Sequence, residues 1–258
     1  MLSIAFVAST LGAIPAAPQW PFEVVCEGQY EHHLQGVATN GDDAIYWSFT
    51  TVVVKTDLDG KVLAKVEGPY HHGDLCYHDG RVYVAWSNHF NKPDADSHVW
   101  VYDAANLELL AKHPVPEVTF GAGGMDFQQI GDRGEGHFFI IGGLPHEIDE
   151  NYVYEYDESF NFIDRHVIPS GHTHLGIQTA CFHDGRWWFG CYSRDDNPGL
   201  LVCDADLNLL SMHDVQPSIG LIGWGEGRFL VAKHFGEKYQ ARLIPMVADE
   251  ANGLVAAE

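Results

Sequence analysis

Apolar and polar residues alternate along this chain in short runs, and a turn-forming residue closes each run. A period of two is typical of β-strands with one buried face. One unit of this pattern recurs: an alternating run that ends in aspartate, a turn, and a second apolar run. Its copies reach their aspartates at Asp57, Asp103, Asp157 and Asp204, which are 46, 54 and 47 residues apart. An Asp side chain at such a turn accepts hydrogen bonds from its own backbone, which favours a hairpin.

A second predicted hairpin precedes each of these units and adds two more strands. Its turns share glycine beside polar residues, as in Asn40-Gly41, Asp79-Gly80, 132–136, Asp184-Gly185 and Gly225-Glu226-Gly227. Four strands in every 40 to 50 residues are the signature of a propeller blade. The sequence therefore predicts an all-β fold, a five-bladed β-propeller. We expect residues 20–248 to form one domain and residues 249–258 to be a C-terminal tail.

The fifth unit looks incomplete in the sequence. Strands are predicted around Leu221, Leu230 and Leu243, but no fourth strand is evident after them. The apolar segment Phe22–Cys26, near the N-terminus, is the candidate for the missing strand. Closing the ring with strands from both ends of the chain would remove the open edges that promote aggregation.

Charge and cysteine content narrow the classes of partner. The 258 residues include 14 basic and 36 acidic side chains, for a net charge of −22. Such a surface repels phosphate backbones and anionic lipid, so we expect no nucleic acid and no membrane as partners. The acidity serves either solubility or affinity for cations. None of the five cysteines forms a CxxC pair, which excludes a zinc ribbon. We expect all five to be buried thiols. We also expect the protein to be a monomer.

Residues 1–17 are apolar and end in small side chains, which resembles a secretory signal peptide without its basic segment. This pattern predicts a secreted or periplasmic protein. The alternative is a first strand in a cytoplasmic protein.

The 16 histidines are the main candidates for chemistry. In a propeller, the loops before inner strands and the loops between second and third strands share one face. His33, His72 and His174 precede or begin inner strands, so we expect them to converge near the axis and bind a divalent metal ion such as Zn, Mn, Fe or Ca. Gln178 and Asp126 are predicted to complete the metal site. The alternative is a polar channel filled with water.

Five further residues on the same predicted face are catalytic candidates. His172, His146 or His234 could move a proton, and Arg194 or Lys233 could hold the negative charge of a substrate. The sequence contains no nucleophile elbow, no phosphate-binding glycine loop and no HExxH helix. Triad hydrolysis, phosphoryl transfer and hydride transfer are therefore not supported.

The pattern His172-Thr173-His174 with Gln178 resembles the ligand set of propeller lyases of the oligogalacturonate type and, more broadly, metal-dependent propeller lactonases. The segment His33-Leu34-Gln35-Gly36 is similar to one in the five-bladed plant-type glutaminyl cyclases. These resemblances imply a metal-dependent lyase or hydrolase that acts on a carbohydrate or sugar acid in the central pocket. Its substrate would be either a small molecule or an oligosaccharide. The alternative is a non-catalytic propeller that binds a glycan or peptide on its histidine-rich face.

Overall fold

A computed structural model describes residues 19–131, 135–194 and 197–258. The predicted signal peptide, residues 1–17, lies outside this part of the chain. Twenty-one strands and no helix form within the described residues. No helix there has the length and apolar character needed to cross a membrane.

The strands are arranged in blades in chain order. After β1 (Val24–Val25), blade one holds β2 (Leu34–Thr39), β3 (Ile45–Phe49), β4 (Val52–Thr56) and β5 (Val62–Glu67). Blade two holds β6 (His72–His78), β7 (Arg81–Asn88), β8 (Asp96–Asp103) and β9 (Leu109–Pro114). Blade three holds β10 (Ala122–Gln129), β11 (Gly136–Gly142), β12 (Asn151–Tyr156) and β13 (Phe162–Ile168). Blade four holds β14 (His174–His183), β15 (Arg186–Tyr192), β16 (Leu200–Asp204) and β17 (Leu209–His213). The last elements are β18 (Leu221–Gly223), β19 (Arg228–Phe235), β20 (Gln240–Asp249) and β21 (Gly253–Ala256).

Each blade is an antiparallel sheet whose strands follow one another in sequence. The innermost strands β2, β6, β10, β14 and β18 contact their neighbours around the axis, and β18 returns to β2. This arrangement confirms the prediction of a five-bladed, all-β propeller.

The fifth blade is closed by both ends of the described chain. β1 pairs with β20 through Val24 and Leu243, as predicted. β21 pairs with the rest of β20, where Ala256 lies opposite Met246. Residues 249–258 are thus not a tail, because they supply the part of the fourth strand that β1 is too short to form.

The aspartate turns explain why the same unit recurs. The Oδ1 atom of Asp57 accepts hydrogen bonds from the backbone N–H groups of Asp59 and Lys61, at 3.1 and 2.9 Å. Asp103, Asp157 and Asp204 do the same in their blades. Asp249 makes a fifth such turn, with Ala251 and Asn252 N–H at 3.1 and 2.8 Å. It lies 45 residues after Asp204, so the fifth copy was present in the sequence.

The core lies between the blades and is rich in aromatic side chains. Trp47 and Trp187 are fully buried and Trp188 nearly so. The rings of Trp187 and Phe189 stack with their centroids 5.5 Å apart. All five cysteines are buried free thiols, as predicted. At the junction of blades three and four the rings of Phe139 and Trp187 lie 4.8 Å apart, and contacts of this kind hold neighbouring blades together.

Candidate functional site

The candidate site is a cleft on the face where the inner strands begin, which we call the upper face. It consists of two adjoining cavities of about 550 and 510 Å³. Both are lined by His174 and Leu175, which form a ridge between them. Ligand pockets commonly have volumes of about 300 to 1,000 Å³, so each cavity is large enough to bind a small molecule.

The first cavity, here called the cationic lobe, carries two basic side chains. Its described lining consists of His33, His174, Leu175, Tyr192, Arg194, Gln216, Ser218, Ile219, Ala232, Lys233 and His234. Arg194 Nη1 lies 3.4 Å from His174 Nε2, and Lys233 Nζ donates to the Gln216 carbonyl at 3.1 Å. Burial lowers the pKa of Lys233. No carboxylate is among these lining residues, so the lobe offers positive charge to an incoming anion.

Two imidazoles of the cationic lobe, those of His33 and His234, are neutral near pH 7. Burial is the main cause that lowers the pKa of His33 and His234 from the ordinary value of 6.5. The same cause lowers the pKa of His71, whose ring lies behind the lobe, with Nε2 3.4 Å from Gln35. His234 Nε2 accepts the backbone N–H of Leu34 at 3.0 Å. Its proton is therefore on Nδ1, and His234 is set up as a hydrogen-bond donor.

The second cavity, here called the neutral lobe, has no Lys, Arg, Asp or Glu among its described lining residues. These are Asn91, Leu144, His146, His172, His174, Leu175 and Asn197. The rings of His146 and His172 meet edge to face with centroids 5.1 Å apart. His172 Nδ1 lies 3.0 Å from the carbonyl oxygen of Ile148, which can only accept, so Nδ1 carries the proton. That tautomer gives Nε2 of His172 a lone pair, as a general base requires.

Local backbone geometry fixes the ridge. Leu175 and Gly176 both adopt left-handed conformations, with φ of 62° and 81°, where the pairing of β14 with β15 shifts register. A side chain at Gly176 would come within 2.3 Å of the Gly142 carbonyl, so only glycine fits there. Gln178 is buried, and its amide donates to the carbonyls of Leu175 and Gly176 at 2.9 and 3.2 Å. Gln178 thus holds the ridge in place.

The five predicted metal ligands are brought together only in part. His33 and His174 line the cationic lobe, and Gln178 supports the ridge beside them. His72 lies elsewhere: it is fully buried, its Nε2 is 3.2 Å from the Tyr102 hydroxyl, and its pKa falls to about 4 because of burial. His71, which directly precedes β6, is the residue near His33 instead, since the charge of His33 contributes to the lowering of the His71 pKa. No group of three or more His, Cys, Asp or Glu within the described ranges is placed to hold a metal ion.

Asp126 lies at the opposite end of the channel, in a separate cavity of about 140 Å³. Its Oδ2 accepts the Phe182 N–H at 2.6 Å, yet burial raises its pKa to about 7. Asp74, deeper in the channel, accepts the Ala180 N–H at 2.9 Å, and burial raises its pKa well above the usual value. Asp74 thus links β6 to β14, past the intervening β10, and Asp126 links the neighbouring strands β10 and β14. Asp126 is therefore separated from the predicted metal ligands on the upper face.

All five predicted catalytic residues line the cleft: Arg194, Lys233 and His234 the cationic lobe, His146 and His172 the neutral one. Asn91, Asn197 and Tyr192 also line the cleft, although no sequence motif marks them. Each lies at or near a loop between second and third strands, and that position on the upper face was the available signal.

Comparison with known proteins finds no matching family profile and no matching curated sequence. Solved structures are similar in fold. A DUF4623 family protein from Bacteroides eggerthii aligns with a TM-score of 0.51 and 10% identity, over 91% of this chain and 60% of that one. The Pan2 WD40 domain of Neurospora crassa gives a TM-score of 0.45 and 10% identity, over 82% and 60% of the two chains. BamB from Moraxella catarrhalis gives 0.40 and 10%, over 84% and 59%. This chain spans about 60% of the length of each, and at such identity the similarity concerns the fold alone.

Proposed function

We propose that this propeller is an enzyme, a lyase or hydrolase, that acts on a sugar acid or a related hydroxylated carboxylate bound in the upper cleft. One observation carries the proposal. In a chain of net charge −22, Arg194 and Lys233 line the same cavity, and no carboxylate is among its described lining residues. Among the described residues that line this cavity no carboxylate neutralises the two cations, so both are available to an anionic ligand.

The two cations suit a carboxylate in different ways. The guanidinium group of Arg194 can donate two parallel hydrogen bonds to a carboxylate. Lys233 is half-buried, and burial disfavours its charged form. A bound carboxylate would favour that form, so binding is expected to raise the pKa of Lys233 and to take up protons above neutral pH.

His172 is the group we assign to proton transfer. Its tautomer directs the Nε2 lone pair away from Ile148, whereas His234 uses its Nε2 to accept a backbone hydrogen bond. In a lyase reaction, His172 would take the proton from the carbon next to the substrate carboxylate. The carbon electron pair would form a double bond, and the leaving oxygen on the next carbon would depart and take a proton from His146. In a hydrolase, His172 would instead deprotonate water. Such acid–base assistance is worth about 10² to 10⁴ in rate.

A divalent metal ion remains a prediction for this site. The neutral imidazole of His33, one of the predicted ligands, is in the protonation state that a metal requires. Because the described residues offer no group of three placed ligands, we derive no catalytic step through a metal. Elemental analysis of the purified protein tests the prediction directly.

The test of function combines binding with turnover. Uronic acids, oligouronates and sugar lactones are incubated with the wild-type protein, with and without divalent ions, and products are followed by mass and ultraviolet absorbance. Arg194→Ala should abolish binding of acids, whereas Arg81→Ala, at an exposed turn on the opposite face, is the matched control. His172→Gln should keep binding and lose turnover. Binding without turnover in the wild type would favour the non-catalytic alternative, and no binding of any acid would refute the proposal.

A further inference from the structure

The cleft differs in charge along its length, and this difference specifies the substrate more closely. Resting on the function proposed above, we infer that the substrate is an acidic sugar linked to an uncharged sugar, with the acidic unit in the cationic lobe and the uncharged unit in the neutral lobe. A uronic acid joined to a neutral pentose or hexose has this chemistry. A chain in which every unit carries a carboxylate does not.

Charged side chains are distributed unevenly between the two lobes. Arg194 and Lys233 both line the cationic lobe, and none of the described residues that line the neutral lobe is charged. A carboxylate in the neutral lobe would lose hydration without gaining a cation, which is unfavourable. Side-chain amides of Asn91 and Asn197 and the imidazole of His146 line this lobe instead. Amides and imidazoles match the hydroxyl groups of an uncharged sugar, since they can both donate and accept hydrogen bonds.

Size and continuity support a ligand with two units. The lobes have similar volumes, about 550 and 510 Å³, and His174 and Leu175 line both of them. A single sugar ring would occupy one lobe and leave the other to water. Joining two units makes binding of the second intramolecular, so its contacts add affinity at a small entropic cost.

The position of His172 agrees with this placement. It lines the neutral lobe beside the ridge, whereas the cations that would hold the carboxylate lie across the ridge. The bond that joins the acidic and uncharged units would then lie over Leu175. The reaction at that bond would be a hydrolysis, in which His172 deprotonates a water molecule whose oxygen bonds to the anomeric carbon of the acidic unit. The bond from that carbon to the linking oxygen breaks, and the uncharged sugar departs with the bonding electron pair and takes the proton supplied by His146.

Calorimetry with three probes tests the inference: glucuronic acid, an aldobiuronic acid in which glucuronic acid is linked to xylose, and digalacturonic acid. The aldobiuronic acid should bind at least tenfold more tightly than glucuronic acid. Digalacturonic acid should bind no more tightly than glucuronic acid, because its second carboxylate would enter the lobe without cations.

A charge introduced into the neutral lobe should reverse this preference. Asn197→Lys is expected to raise the affinity ratio of digalacturonic to aldobiuronic acid at least tenfold. The control Asn197→Gln changes size without charge and should leave the ratio within about twofold of the wild type. A Lys variant whose ratio does not change would overturn the inference.

The outcomes separate the inference from the proposed function. Binding of glucuronic acid that depends on Arg194, with equal affinity for all three probes, would refute only the two-unit substrate. Tightest binding of digalacturonic acid would do the same. Failure of every acid to bind the wild-type protein would refute the proposed function, and the inference with it.

Discussion

The ridge between the two lobes should depend on a single buried amide. Gln178 donates to two carbonyl groups, at 2.9 and 3.2 Å, and those carbonyls belong to the left-handed pair Leu175 and Gly176. Replacing Gln178 with leucine keeps much of the volume but removes both donors. A buried carbonyl left without a partner costs about 1 to 3 kcal/mol. Leu175 lines the cavity, where water can reach its carbonyl, so the sum for Gln178→Leu is on the order of 2 to 3 kcal/mol.

The assay is thermal unfolding together with binding of a uronic acid. For chains of this size, each kcal/mol shifts Tm by about 2 to 4 °C, so the variant should melt roughly 4 to 12 °C lower. Binding should weaken at least tenfold, because His174 and Leu175 line both lobes. Gln128→Leu is the control: Gln128 is partly buried near the end of β10 on the opposite face and donates to a single carbonyl, that of Ala205, at 3.3 Å. Equal losses in the two variants, or unchanged binding in Gln178→Leu, would refute this account of the ridge.

Three further predictions follow from the same structure. Asp126 has a folded pKa of about 7 against about 3.9 when unfolded, so the folded state holds its proton more tightly and stability should fall as pH rises from about 4 to 7. Asp126→Asn should reduce that fall by on the order of 3 kcal/mol in denaturant titrations at several pH values; an unchanged slope would contradict the titration near pH 7. Gly176→Ala should lower Tm far more than Gly171→Ala. Both glycines have positive φ, but only at Gly176 would an added Cβ atom come within 2.3 Å of a carbonyl oxygen, that of Gly142. Similar Tm values for the two variants would show that the backbone moves to accommodate the added atom. Removal of residues 1–26 should lower Tm because it strips the buried Val24 and Cys26 from blade five, and an unchanged Tm would count against closure by β1.

The features that the sequence predicted well are local and repeated. The blade count follows from alternating runs and from turns such as those at Asp57 and Asp204, whose aspartates accept hydrogen bonds within four residues. Such interactions do not depend on the rest of the fold. The C-terminal part of the fourth strand in the last blade, β21, escaped prediction because it has only four residues, although Asp249 before it repeated the spacing of the earlier turns.

The geometry of the cleft depends on backbone irregularities that the sequence does not display. Register shifts after His72 and after His174 decide which side chains reach the upper face. The first leaves His72 between blades, against Tyr102, and the second makes Gln178 a support for the backbone. The upper-face location of Arg194 and Lys233 was predictable, because loops between second and third strands share a face in any propeller.

The outer strand of blade five is formed by two segments, β21 and β1, which come from opposite ends of the described chain and lie next to each other. β21 and β1 lie along the same edge of β20 and run in the same direction, with Ala256 opposite Met246 and Val24 opposite Leu243. Three strand positions separate the two segments, a gap of about 10 Å at roughly 3.4 Å per residue. A short linker from the C-terminal end of β21 to the start of β1 would convert them into one strand. The chain could then be opened at an exposed hairpin turn such as Asp79-Gly80, so this propeller is a natural subject for circular permutation.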